Sequence, residues 1–247
     1  MNLKKGINAV LGRFGYRIQR MGAEPAVFGV DPMRDMRVLS TAGDQPVIFD
    51  VGANVGQSID NFRRHFRSPV IHSFEPSPKA FAELQSHAAS IPGVTLNNLA
   101  LGARPGEASF FESEAGTPMS SLLQPGTECW GGGGVRETLQ VRVSSVDEYC
   151  RQRGIGQIDI LKIDTQGYDF EVIKGAKAMI RNRAIHLIHM EIIFCDMYKG
   201  LPRMDEIYAF LADRGYELVT FYPFCYWGNK ASWTEGLFMH PEYRRMA

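Results

Sequence analysis

The sequence predicts an α/β fold: a mostly parallel sheet with helices on both faces and an antiparallel hairpin at its C-terminal end. Three observations predict it. From Val47 onward, short apolar runs alternate with segments of helical periodicity, the pattern of strands joined by crossover helices. Four of those runs close on an acid, at Asp50, Glu75, Asp164 and Glu191, so the acids fall at the carboxyl ends of strands, where such sheets hold their ligands. The tail carries two strand-like runs with no helix between them, and strands so joined pair antiparallel.

Taken in order, residues 1–45 read as a basic amphipathic extension (1–22) followed by a connector dotted with Gly, Pro and Asp, and residues 46–247 as one domain. VIFDV (47–51) is a buried strand, and SIDNFRRHF (58–66) a helix with Ile59, Phe62 and Phe66 on one side. VIHSF (70–74) is the second strand. It leads into EPSPKAFAELQSHAAS (75–90), where Ser77 suits the N-cap and Pro78 the first helical position. VTLNNLAL (94–101) is a third strand and EASFFES (107–113) a short strand in an insertion. The stretch 116–134 is polar and ends in WGGGG; consecutive glycines hold no single conformation cheaply, so a mobile loop or a long hairpin is expected. LQVRV (139–143) resumes a strand and SVDEYCRQRG (145–154) is a short helix. IDILKID (158–164) is a nearly uniform apolar strand, DFEVIKGAKAMIRN (169–182) its following helix, and AIHLIHME (184–191) the next strand. RMDEIYAFLADRG (203–215) is a helix closed by Gly215. YELVTFY (216–222) and EGLFMH (235–240) are the final pair.

The chain is 45% hydrophobic and 22% charged, with 27 Lys plus Arg against 27 Asp plus Glu, so no overall charge draws nucleic acid. Its four cysteines lie far apart without a CxxC pair. That spacing argues against a zinc knuckle or a disulfide framework and fits a reducing, cytoplasmic setting. The histidines form no HxxxH or HExxH pair, and no metal is expected. No apolar run is long enough to span a bilayer. In residues 1–22, Leu3, Ile7, Val10, Phe14 and Ile18 share one helical face, with Lys5, Arg13, Arg17 and Arg20 on the other. Such a helix suits docking on its own domain, on a partner chain such as a second copy, or peripherally on the inner face of a membrane; the three readings stay open.

The loop of VIFDVGANVGQSIDNF poses the question of function. A dinucleotide fingerprint needs GxGxxG, and the frame from Gly52 gives Gly52, Asn54 and Gln57. Asp50, just ahead of the first glycine, repels a pyrophosphate and attracts a cation, such as the ammonium and sulfonium of S-adenosylmethionine. Glu75, ending the next strand, can accept hydrogen bonds from ribose hydroxyls in nicotinamide and methyl-donor enzymes alike. A nicotinamide-dependent oxidoreductase or epimerase is the second reading, disfavoured by Asp50 and the missing glycines and by the lack of a YxxxK pair after the fourth strand. A binding module that kept the pocket without turnover is the third.

FDVGANVGQS (49–58), FEPSP (74–78), NLALG (98–102), MSSL (119–122), VRVSSVDEY (141–149) and DILKIDTQGYDFEVIKGA (159–176), in this order with ME (190–191) and the closing GYELVTFY and EGLF, resemble the FkbM-type methyltransferases. The resemblance covers about residues 47–240 and implies a Rossmann-like fold with a seven-stranded sheet. It implies S-adenosylmethionine as cofactor, with Asp50, Gly52, Ala53, Asn54 and Gly56 around the methionine part, Glu75 and Pro76 at the ribose, Leu99 and Ala100 at the adenine, and Asp164 near the amino-acid end. It also implies O-methylation of a hydroxyl, plausibly on a sugar of a glycan, a glycolipid or a related small molecule. The chain departs from the family at Asp169, where Glu is frequent, and at Glu235 and Gly236 before LF, where Asp is frequent.

An alcohol acceptor loses a proton as it attacks, so a general base is expected at the rim. Glu191 is the chosen candidate, as base or as an acid that positions the acceptor; Asp164 competes, and His189 lies one step deeper on the same strand face. His72, inside a strand, reads as a core histidine. Ser120 and Ser121 are candidate hydrogen-bond donors, the segment around Trp130 a candidate lid, and Tyr198, Tyr222, Tyr226, Trp227 and Trp233 either pocket lining or packing.

Overall fold

The computed structural model describes residues 28–114, 116–129 and 133–243. The amphipathic segment 1–22 and Trp130 lie outside the described residues, and so do the readings that rest on them. Among the described residues no helix is long and apolar enough to cross a membrane.

Strands β1 (Val47–Val51), β2 (Val70–Phe74) and β3 (Val94–Asn97) step one way from the centre of the main sheet. The chain then leaves that sheet for β4 (Ala100–Leu101), β5 (Gly106–Ser113) and β6 (Val135–Ser144), a second sheet of three strands. It returns on the other side of β1 as β7 (Ile158–Ile163) and β8 (Ile185–Ile193). All five of these main-sheet strands are parallel. β11 (Lys230–Met239) runs antiparallel to β8, and β9 (Glu217–Phe221) and the short β10 (Cys225–Trp227) both pair with it. The change of direction on either side of β1 is a topological switch point, and it opens a crevice at the carboxyl ends of β1 and β7.

Helices α1 (Pro32–Leu39), α2 (Gln57–His65) and α3 (Pro78–Ala88) cover one face. Met36, Ile59, Phe62 and Leu84 pack there on Ile48, Ile160, Leu187 and Leu237. Helices α4 (Val146–Arg153), α5 (Asp169–Lys174), α6 (Lys177–Arg181) and α7 (Met204–Ala212) lie on the other face. Their Tyr149, Val172, Ile180 and Leu211 pack with Phe49, Leu161, Ile188 and Phe238. The two sets alternate along each strand, which is why the central strands read as uninterrupted apolar runs. Each such side chain, fully buried, stabilises the fold by roughly 1.5–3 kcal/mol.

The structure refines the sequence reading at five places. The connector contains α1, capped by Asp31, whose carboxylate accepts from the amides of Met33 and Arg34. The expected third strand divides: β3 stays in the main sheet, while Asn98 turns the chain into β4 by donating to the carbonyls of Glu75 and Pro76 at 2.9 and 3.2 Å. The expected helix after β7 breaks into α5 and α6 at Gly175, where a Cβ would stand 2.0 Å from the Gly102 carbonyl oxygen. The insertion strand pairs along nearly its whole length with β6, which begins at Val135. The described part of 116–134 is anchored, through Phe111↔Ser121 and Pro125↔Tyr198 bridges. As expected, Ser77 caps α3 by accepting from the Ala80 amide at 3.3 Å, with Pro78 opening the helix.

Candidate active site

A cavity lies over the carboxyl ends of β1, β2 and β7, with β4 and β5 as its far wall. Val51, Phe74, Leu101, Phe110 and Leu122 give it an apolar lining, and Glu75, Asp164 and Gln166 bring the polar groups. The turn after β1 is shaped by close approach. Gly52 has φ +80°, and a Cβ there would lie 1.8 Å from the Asp164 carbonyl oxygen, so only glycine lets the β1 and β7 loops touch. The amides of Gly52 and Ala53 both donate to the Phe74 carbonyl at 3.0 Å, tying the same turn to β2.

Glu75 is 6% exposed, and its two oxygens accept from backbone amides, Asn54 at 2.9 Å and Ser77 at 2.8 Å. Burial outweighs these bonds and pushes its carboxyl up to about 7. Each oxygen retains a second lone pair, which suits it to hydroxyl donors in the cavity. Of the residues named from the sequence, Gly52, Asn54, Glu75, Pro76, Ala100, Ser120 and Asp164 line this cavity. Ala53 is buried in the turn, Gly56 caps α2, and Leu99 packs against the core behind. Asp50 is fully buried under the turn instead of facing the cavity, and Lys162 Nζ stands 3.1 Å from its Oδ1.

Lys162, which the sequence reading passed over, connects the site. Its ammonium also lies 3.5 Å from Asp164 Oδ2. Burial opposes the charge, yet Asp50 and Asp164 hold its pKa above the usual lysine value. One lysine inside the apolar stretch ILKI (160–163) was the available signal, since a buried ammonium needs a carboxylate partner.

A second cavity shares Pro118, Asp164 and Gln166 with the first and extends to Glu191, Met197, Trp233 and Glu235. Gln166 forms the partition. Its side-chain amide donates to Asp164 Oδ1 at 3.1 Å and to Glu191 Oε2 at 3.5 Å. The Tyr198 hydroxyl lies 3.0 Å from its Oε1, and Ser121 Oγ donates to its carbonyl at 2.7 Å. Its φ of +55° is a left-handed conformation that costs a non-glycine residue about 1–2 kcal/mol. Asp169, buried, accepts from Thr165 Oγ1 at 2.8 Å and from the Glu191 amide at 3.2 Å. Burial, then the charge of Asp164, raises its carboxyl to about 6. Glu191 is raised well above the ordinary glutamate value, by burial first and then by Asp164, Asp169 and Glu235, with Lys162 pulling the other way.

The remaining candidates sort by position. Ser120 Oγ accepts from the Ser113 amide at 3.1 Å, so both serines hold backbone. Trp233 lines the second cavity. Tyr222 is buried with its hydroxyl 3.3 Å from Asp35 Oδ2, and Tyr226 and Trp227 are exposed on β10. His72, buried beside Tyr149 with Nδ1 2.9 Å from its hydroxyl, is held down to about 4 by burial, as a core histidine.

A family model described as "Methyltransferase FkbM domain" matches residues 50–218. The chain is 26% identical over 186 residues to the 2-O-methyltransferase NoeI of Sinorhizobium fredii, covering 72% of this chain and 75% of that one. It is 25% identical over 141 residues to the hexuronic acid methyltransferase AglP of Haloferax volcanii, covering 56% of this chain and 53% of that one. Among solved structures, magnesium protoporphyrin IX methyltransferase of Synechocystis PCC 6803 with bound S-adenosylmethionine aligns with a TM-score of 0.47 and 12% identity, over 96% of this chain and 95% of that one. The family match decides between the cofactors left open by the loop, for a methyl donor and against a nicotinamide.

Proposed function

The chain belongs to the FkbM methyltransferase family and is an S-adenosylmethionine-dependent methyltransferase; on that premise we propose that it methylates a hydroxyl group, and that the hydroxyl belongs to a sugar of a glycan, glycolipid or related metabolite. One observation carries the proposal: Glu191, with its pKa raised, lines a cavity that joins the donor cavity at Asp164 and Gln166. A hydroxyl acceptor is supported by the relative described as a 2-O-methyltransferase, and a sugar by the relative described as a hexuronic acid methyltransferase.

The donor cavity fits the cofactor chemically. Its apolar walls suit an adenine beside Ala100 and Leu101, Glu75 suits the ribose hydroxyls, and Asp164 is the exposed carboxylate for the cationic end, with Gly52 and Asn54 supplying the turn around it. Asp50 acts at one remove, by fixing Lys162 and through it Asp164. When bound, S-adenosylmethionine supplies a methyl carbon already activated by its sulfonium. The work left to the chain is alignment, worth roughly 7–11 kcal/mol when reacting groups are well oriented, and acceptance of the hydroxyl proton. Glu191 takes that proton; a carboxylate with a raised pKa is the stronger base. Gln166 holds Glu191 and Asp164 in fixed relation across the partition.

The test is transfer of isotopically labelled methyl from S-adenosylmethionine to a panel of glycans, with the product located by fragmentation mass spectrometry. Label on a ring hydroxyl is expected. Label on nitrogen or on a carboxylate oxygen would overturn the proposal.

A further inference from the structure

The charge of the second cavity sets a condition on the acceptor. Three carboxylates, of Asp164, Glu191 and Glu235, line it, with no Lys or Arg among the described residues of its lining. The nearest buried cation, Lys162, is already paired with Asp50 and Asp164. Glu191 and Glu235 are direct partners across the β8–β11 ladder and so stand on one face of the sheet, an unfavourable pairing for like charges. An independent observation concerns the layer below. His189 is 3% exposed, and among the described residues neither of its ring nitrogens has a hydrogen-bond partner. Its Nε2 lies 3.6 Å from Glu235 Oε2, so a buried imidazole with no other polar contact is aimed at the cavity floor and backs Glu235.

From this geometry we infer that the acceptor presents an uncharged sugar ring to the site, and that a hexuronic acid is rejected. The inference rests on the proposed sugar O-methylation. A neutral ring brings hydroxyl donors to carboxylates that offer only lone pairs, and adjacent hydroxyls can share one carboxylate. The Trp233 side chain supplies an apolar surface of the kind that sugar rings stack on. A hexuronate brings a further carboxylate beside Glu191 and Glu235, which face each other across the ladder in the cavity wall, and at a protein surface such repulsion is stronger than in bulk water.

The experiment compares kcat/KM of the full chain with S-adenosylmethionine on matched methyl glycosides: glucose against glucuronic acid, galactose against galacturonic acid, and the methyl ester of each uronic acid. The acids are expected to be about tenfold or more slower than their neutral partners, with the esters restored to the neutral level. In Glu235→Gln the ratio of neutral to acidic rates should narrow by a similar factor. Acids transferred as fast as neutral sugars, esters as slow as acids, or a ratio unmoved by Glu235→Gln would each overturn the inference while leaving sugar O-methylation standing. Transfer to neither series, with donor binding intact by calorimetry, would overturn the sugar reading and this inference with it.

Discussion

On the donor side of Asp164, the buried acids have fixed partners, although burial still outweighs them at Glu75. Both oxygens of Glu75 receive backbone amides, and the buried carboxylate of Asp50 meets the ammonium of Lys162. On the acceptor side, charge is left largely unanswered. Glu191 faces Glu235 across the ladder, with one long contact from Gln166, and its pKa rises through burial first and then through the repulsion of three neighbouring acids. The first arrangement is preorganised binding, complete before any ligand arrives. In the proposed function, the second would keep Glu191 basic by burying it beside like charges, the usual way a fold tunes a carboxylate for acid–base work.

The sharpest way to break this contrast is Glu191→Gln. The isosteric amide keeps the shape and removes the base, so kcat should fall by about 10²–10⁴ while the donor Kd, measured by calorimetry, stays within about twofold. A kcat within tenfold of the unaltered protein would return Glu191 to a positioning role. A smaller effect concerns stability without ligand. Folded Glu75 holds its proton to about pH 7, whereas an unfolded glutamate releases it near 4.5. Between those values the folded state binds more protons, so this group's contribution to stability declines as pH rises through them, by about 3 kcal/mol in all. Thermal unfolding of the unaltered protein and of Glu75→Gln from pH 4.5 to 7.5 should therefore diverge in slope, with Gln the flatter; parallel curves would show that Glu75 is better compensated than its burial indicates. Smaller again is the donor affinity of Glu75→Ala. Loss of hydrogen bonds to a charged acceptor should weaken S-adenosylmethionine by about 1.5–3 kcal/mol, with neutral-acceptor KM unchanged. An effect on acceptor KM as large as that on donor Kd would erase the division between the cavities.

The donor side was the more legible in the sequence, for the same reason. Gly52, Asn54 and Glu75 occupy short fixed offsets from strand ends, and backbone turns of that kind are local. The acceptor side depends on register. Glu235 reaches Glu191 only because β11 pairs antiparallel in one alignment, and no spacing in the chain reveals that alignment. Gln166 was missed because its left-handed backbone, not its residue type, turns its amide toward two carboxylates. The fold behaved alike. Apolar runs marked every central strand, while β10 and α1 were overlooked because CYW is only three residues long and the helical pattern of PMRDMRVL spans only eight residues inside a connector. Asp50 shows the limit from the other side: its place in the motif was plain, but its partner, Lys162, sits on another strand.

The reversed direction of β11 has a consequence for how this enzyme can change. In the parallel strands, rim residues come last, and the chain beyond them is committed to a crossover helix. In β11 the rim residues Trp233 and Glu235 come early, a few positions after the tight connection from β10, while the end of the strand lies at the opposite edge of the sheet. The acceptor wall therefore hangs from a hairpin that can lengthen, shorten or be exchanged as one cassette, without touching the turns after β1, β2 and β7. Under the proposed function, substrate choice is in this sense a separable module: a lineage, or an engineer, would rewrite what receives the methyl group and inherit the donor machinery intact.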